Sequence, residues 1–192
     1  MRNPFLIGEK VLLTPLEEDD VDFICRMEND PEVRYALFLY KPLTRQMVEK
    51  KIQQMIDSNE TFMFMILDKE SQQIIGQTGL VRIDFISRAA VFYIAILDKL
   101  FRSKGLGTEA TQLVIDYAFN TLNLNRIQLH VNSENAPAVH IYKKIGFQIE
   151  GTLRQAMYHG GNYCDFFVMG LLKEDFKSPH LSQTEKINIT TC

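Results

Sequence analysis

Cysteine is scarce in this chain: three in 192 residues, Cys25, Cys164 and Cys192. None forms a C-x-x-C pair or stands at metal-ligand spacing from a histidine, which argues against a metal-binding or disulfide scaffold and leaves reduced thiols as the expectation. Long apolar runs are also missing. No stretch of about 18 apolar residues occurs, so no spanning helix is expected. The opening MRNPFLIGEKV is too short and too interrupted for a secretory signal. A soluble, cytoplasmic protein is the expectation. Charge of either sign is not in excess: a net charge of −3 gives no general attraction to nucleic acid or to a membrane surface, so any anion site must be local. Internal repeats and low-complexity segments are absent as well.

What is there is an ordinary core. With 46% apolar residues, the length suits one domain, expected over residues 1–176, with a polar tail over 177–192 that is expected to be mobile. Lys10 to Leu16 reads as a strand, and residues 17–29 as a helix opened by acids and ended at Pro31. Thr44 is placed to cap a second helix, whose apolar positions recur at helical spacing with Lys51 as a polar intruder; Lys50 and Lys51 read as its solvated face. Three strands follow, at 62–68, 74–83 and 89–97, the first two joined by a hairpin through KESQQ. A buried helical stripe then runs from Leu106 to about Leu122. After it come the strand 126–131, a helix with Pro137 in its first turn and Gly146 past its end, and two strands near 147–157 and 163–172 joined through H-G-G-N.

The segment FRSKGLGTEA, 101–110, poses the functional question. Its glycines fit a dinucleotide-binding loop as well as any other anion cradle at a helix N-terminus. A dinucleotide fold would need an acid about 20 residues on to hold the ribose. The count from Gly105 reaches Asn125 and Arg126, and the strand RIQLHV ends at Asn132 without one. Arg102 and Lys104 flank Gly105, while no acid stands between Asp98 and Glu109. Two cations beside free helix N–H groups make a compact site suited to a pyrophosphate, completed by Thr108.

From that loop onward, FRSKGLGTEATQLVIDYAFNTLNLNRIQLHVNSENAPAVHIYKKIGF resembles the core of a GNAT-family N-acetyltransferase. It carries R-x-x-G-x-G, a long helix, a strand, Asn135, Tyr142 seven residues later, and a closing G-F. The likeness extends upstream through ENDPEVR and IIGQTGL and downstream to EGTLRQAMYHGGNYCDFFVMGLLKEDF, covering roughly residues 8–176. It is most similar to the ribosomal-protein N-terminal acetyltransferases and spermidine acetyltransferase. The resemblance implies a single α+β domain: a mixed, largely antiparallel sheet of about seven strands, splayed at the acetyl-CoA site and flanked by helices on both sides. It implies acetyl-CoA as the acetyl donor, direct transfer to a primary amine with no metal, and a possible homodimer. By the same resemblance the pantetheine arm pairs with the strand Phe92 to Leu97, through Ile94, Ile96 and Leu97. The pyrophosphate falls to Arg102, Lys104, Gly105, Leu106, Gly107 and Thr108, and a coenzyme contact to Asn135. Tyr142 takes the role of the acid that protonates the departing thiolate.

Alone, Tyr142 could equally be an aromatic packed beside Ala138, Ile141 and Ile145, and Asn135 a helix cap. Asn132 could also face the coenzyme. The base that many relatives carry in the strand before the loop, at Val91 or Phe92, has no counterpart: no acid occurs between Asp84 and Asp98. Glu32, Asp84 and Asp165 are substitutes to test. His140 points away from Tyr142 on its helix, and His159 falls in the predicted turn. A lysine-type amine of pKa about 10.4 is about 0.1% neutral near pH 7.4, whereas an α-amine of pKa about 7.8 is roughly a quarter neutral. Without a base, the expected acceptor is therefore a protein or peptide N-terminal α-amine. A polyamine or other small amine is the alternative, and a non-catalytic acyl-CoA sensor a further one. The aromatic stretch YALFLYKPL, 35–43, reads as core packing or as one wall of the acceptor cleft.

Overall fold

The computed structural model describes residues 2–97, 99–101 and 103–178. Among the described residues, apolar-rich runs build eight strands, and the helices that flank them cover the two faces of one sheet. The strands are β1 (Leu6–Ile7), β2 (Val11–Pro15), β3 (Phe62–Asp68), β4 (Ile74–Asp84), β5 (Ala89–Ile96), β6 (Arg126–Asn132), β7 (Gln148–His159) and β8 (Asn162–Leu172). Their order is β1-β2-β3-β4-β5-β6-β8-β7. Every pairing is antiparallel except β5 with β6. The sheet thus exceeds the expected seven strands by β1, a two-residue edge that pairs Leu6 with Leu13 and is too short to carry a period of its own.

Among the described residues, five α-helices complete the fold: α1 (Val21–Asn29), α2 (Pro31–Leu37), α3 (Arg45–Ile56), α4 (Leu106–Asp116) and α5 (Ala136–Ile145). One core lies between the sheet and α4 and α5, with Phe92, Val114, Phe119, Ile127 and Leu129 among its buried members. The other lies under α1 to α3, around Ile24, Met27, Val48, Ile52 and Met65. Residues alternate along β5 accordingly: Ala90 and Phe92 bury toward α4, while Ala95 buries toward α1 and α3 with Tyr93 packed beside it.

Local chemistry explains the helix ends. Thr44 caps α3 by accepting from Met47 N, and Asn135 caps α5 by accepting from Ala138 N. Gly146 closes α5 at φ 118°. Pro31 corrects the sequence reading: it ends α1 and also opens α2, with Asp30 accepting from Glu32 N and Val33 N. A proline fits the first helical position because its missing N–H would have had no partner there. The α4 helix stops at Asp116, and residues Tyr117–Thr121 continue as one π-helical turn instead of running on to Leu122 as α-helix.

Candidate active site

The single parallel junction creates the site. β5 and β6 pair only at Ala89–Arg126, Ala90–Ile127 and Val91–Gln128. Beyond Val91, β5 stays with β4 and β6 stays with β8, so the two strands diverge. The opening is a cleft of about 240 Å³. Phe92, Ile94 and Leu129 line its flanks, and Asn132, Asn135 and Tyr142 close one side. Leu37 and Phe38, from the end of α2, and Phe166 close the other. Phe38 meets Phe166 edge-on with ring centroids 5.0 Å apart. It leaves α2 at φ 57°, a conformation costly for a residue with a side chain and found disproportionately at functional sites. Asn29 anchors the segment that follows: it donates to Leu43 O and accepts from Leu43 N, at 2.9 and 3.0 Å. Of the aromatic segment 35–43, Leu37 and Phe38 wall the cleft, whereas Tyr35 and Tyr40 are exposed.

Tyr142 sits half-buried with its ring against Phe92 and Phe147, at centroid distances of 6.5 and 5.9 Å. Burial pushes its hydroxyl up to about 12, because the ionised form loses hydration. The hydroxyl therefore stays protonated through the neutral range. Asn135 spends Oδ1 on its cap at 3.2 Å, and Asn132 Oδ1 accepts from Glu134 N at 3.0 Å. Both line the cleft while holding the turn between β6 and α5.

The glycine loop enters α4 from the end of β5. Gly105 is the N-cap at φ 85° and has no side chain to cap the helix, which suits its first N–H groups to an anion. Gly107 permits close approach: a Cβ there would lie 3.0 Å from Ile96 Cδ1. Leu106 is buried beneath, Thr108 follows in the first turn, and Lys104 is exposed with its Nζ 5.5 Å from the Phe101 ring centre. Leu97 lines a separate cavity with Glu32 and Phe101. Arg102 and the His159 side chain lie outside the described residues, as does the tail from 179 to 192.

A contact unforeseen from sequence adds to this loop. Glu109 in α4 accepts from the backbone N–H groups of Glu9 and Lys10, the latter at 3.0 Å to Oε2. Its carboxylate occupies the space a side chain at position 8 would fill, which is why Gly8 stands there. So clamped, Lys10 Nζ donates to Lys104 O at 3.3 Å and joins the cations around the loop.

Two of the substitute bases, Asp84 and Asp165, are engaged elsewhere. Asp84 accepts from Ile86 N and Ser87 N, and the Ser87 bonds hold its carboxyl below the usual range. Asp165 Oδ1 accepts from Gln155 N at 2.7 Å, in the bulge of β7. His140 is exposed on α5. Lys51 corrects the reading of a solvated face: its ammonium bonds both oxygens of Glu28 at 2.5 and 2.7 Å, and Glu28 is only 2% exposed.

A splayed sheet, a helix N-terminus opened by glycines and flanked by lysines, and a tyrosine on the cleft wall define a transferase that takes its acyl group from a phosphate-bearing thioester. The chain belongs to the GNAT acetyltransferases: the family model described as acetyltransferase (GNAT) domain matches residues 10–148. It is an acetyl-CoA-dependent N-acetyltransferase. An uncharacterised N-acetyltransferase, p20, of Bacillus licheniformis is 34% identical over 176 residues, covering 89% of this chain and 97% of its own. The spermidine N(1)-acetyltransferase of Escherichia coli (strain K12) is 29% identical over 181 residues, covering 90% and 91%. The crystal structure of spermidine N-acetyltransferase from Vibrio cholerae in complex with CoA and spermine superposes with a TM-score of 0.81 at 31% identity, covering 88% of this chain and 98% of that one. These relatives overturn the expected protein N-terminal acceptor, since the acceptors they name are polyamines. The expectation failed because it ranked acceptors only by how easily they deprotonate.

Proposed function

We propose that the protein transfers the acetyl group of acetyl-CoA to a primary amine of a polyamine or a similar slim aliphatic amine, in the cytoplasm. The observation that carries this reading is the divergence of β5 and β6 after Val91, set beside the named acceptors of the relatives. The narrow cleft, walled by Phe38, Phe92 and Phe166, suits an unbranched carbon chain. Lys104, Gly105, Leu106, Gly107 and Thr108, with Arg102, hold the pyrophosphate; Ile94 and Ile96 present the strand edge to the pantetheine arm, and Asn135 borders it.

The chemistry is direct. The amine nitrogen attacks the thioester carbon, the C–N bond forms, the C–S bond breaks, and the nitrogen gives up a proton as the sulfur gains one. Positioning of the two reactants supplies much of the rate. Tyr142 donates a hydrogen bond to the departing sulfur. Its hydroxyl, kept protonated by burial, is the proton source for that sulfur.

The test is to follow thiol release with spermidine, spermine, aminoglycosides and N-terminal peptides. Turnover is expected with the polyamines; turnover only with another class of amine would refute the reading. We also propose self-association through the edge strand β7, where Ile149, Leu153 and Met157 are exposed beside Tyr158. Light scattering should give a mass above one chain.

A further inference from the structure

Four elements meet in a polar network inside the apolar layer beneath α1 and α3. Lys51 of α3 bonds both oxygens of Glu28 in α1. Gln77 of β4 donates from Nε2 to Glu28 Oε1 at 3.4 Å and to the Tyr93 hydroxyl oxygen at 3.3 Å. Glu28 and Gln77 are each 2% exposed, among Met27, Val48, Ile52 and Met65. Such a pair, its carboxylate buried and its lysine 37% exposed, is weak evidence of stabilisation, because well-packed apolar residues of the same volume often serve as well or better. Its geometry points instead to the residue at its end.

Tyr93 stands two residues past the last β5–β6 pair and lines the cleft. Because side chains alternate along the strand, it lies on the α1–α3 side of β5, whereas Phe92 buries toward α4 and packs against Tyr142. The two tyrosines therefore border the cleft from opposite faces of the sheet. A neutral phenol oxygen can accept two hydrogen bonds; Gln77 supplies one and fixes the ring.

We propose that Tyr93 is the catalytic residue on the acceptor side, its hydroxyl oxygen accepting a hydrogen bond from the attacking amine, and that Gln77, backed by Glu28 and Lys51, is its positioning residue. The bond turns the amine lone pair across the cleft toward the thioester carbon, and no covalent step passes through Tyr93. This inference rests on the acetyl-transfer reading above. Burial pushes the Tyr93 hydroxyl up to about 12, so it is neutral wherever the enzyme is assayed. It acts by orientation, and it stands near the Val91 and Phe92 positions where a carboxylate base was sought.

The test compares wild type with Tyr93→Phe, Gln77→Leu and the double variant, using product formation from spermidine and calorimetry for acetyl-CoA. Loss of one neutral hydrogen bond predicts a fall in kcat of about 3- to 10-fold for Tyr93→Phe, with acetyl-CoA affinity unchanged within about twofold. Gln77→Leu should fall comparably, and the double variant no further than Tyr93→Phe, since one residue acts through the other. Unchanged kcat/KM in Tyr93→Phe, or a double variant that falls by the product of the singles, overturns the inference while leaving the acetyl-transfer reading standing. A wild type inactive on every amine overturns both. Circular dichroism and acetyl-CoA binding identify a misfolded variant; should one fail, the other carries the comparison of kcat.

Discussion

Replacing Tyr142 by Phe isolates the leaving-group step. The hydroxyl is pushed up to about 12 by burial alone, and the ring is fixed against Phe92 and Phe147, so Phe keeps the packing and removes only the donor. A hydrogen bond to a charged acceptor contributes about 1.5 to 3 kcal/mol, which predicts a loss in kcat of about 10- to 150-fold, with acetyl-CoA affinity nearly unchanged. The pH profile is the sharper measurement. The folded hydroxyl ionises above the ordinary tyrosine value, so its proton is present at every pH below about 10. For a polyamine acceptor, kcat/KM should therefore climb with unit slope up to the amine pKa near 10.4 and show no descending limb before that point. Chromatographic assay of the acetylated product from pH 6.5 to 10 gives the curve. A descending limb near pH 8 to 9 in wild type that disappears in Tyr142→Phe would refute the reasoning, because it would mean that the cleft stabilises the phenolate.

Other outcomes follow from the same geometry. Lys51→Met leaves the buried Glu28 carboxylate with only the Gln77 amide as partner; because Lys51 is itself 37% exposed, the expected cost is about 1 to 3 kcal/mol in urea unfolding, and the Glu28→Met, Lys51→Met pair should recover most of it. Gly105→Ala would meet only Lys10 Nζ, at an ordinary 3.6 Å, but must hold φ 85°; a cost of about 1 to 2 kcal/mol, or a few degrees in Tm, is expected by calorimetry. Lys10→Gln should weaken acetyl-CoA binding several-fold at low salt, with the difference shrinking at about 0.5 M salt as screening sets in; a salt-independent loss would mean a packing role. Both Tyr93 and Tyr142 have folded values near 12 against about 10 unfolded. Their contribution is complete below pH 10 and is lost as pH rises from 10 to 12, and each single substitution to Phe should blunt that alkaline drop in unfolding titrations, the double variant more so.

Most of the fold could be read locally. Thr44, Asn135, Pro137 and Gly146 act through neighbours within a few residues, and the H-G-G-N turn places Gly160 and Gly161 at φ 57° and 89°, so sequence sufficed for them. What it concealed depends on distance along the chain. The cleft exists because residues 89–91 pair with 126–128 and the next ones do not, a register fact with no local signal. Helix α2 was hidden because Pro31 reads as a stop and its aromatic residues follow no clear period. Lys51 looked solvated because its partner lies 23 positions away. Gln77 did leave a trace, a polar residue inside the buried run IIGQTGL, and a buried amide needs a partner; Tyr93, apparently one more aromatic in an apolar strand, supplied it.

The Glu109 clamp makes the first hairpin a sensor of the start of α4. A single carboxylate, 99 and 100 positions along, secures the amides of Lys10 and Glu9, so their shielding from solvent depends on whether the start of α4 is held in place. Acetyl-CoA that quiets this helix end should slow hydrogen exchange at those two amides, well away from the thioester. Glu109→Gln, with its weaker acceptor, should leave them exchanging faster with the donor bound, so that occupancy could be read from the N-terminal peptide alone.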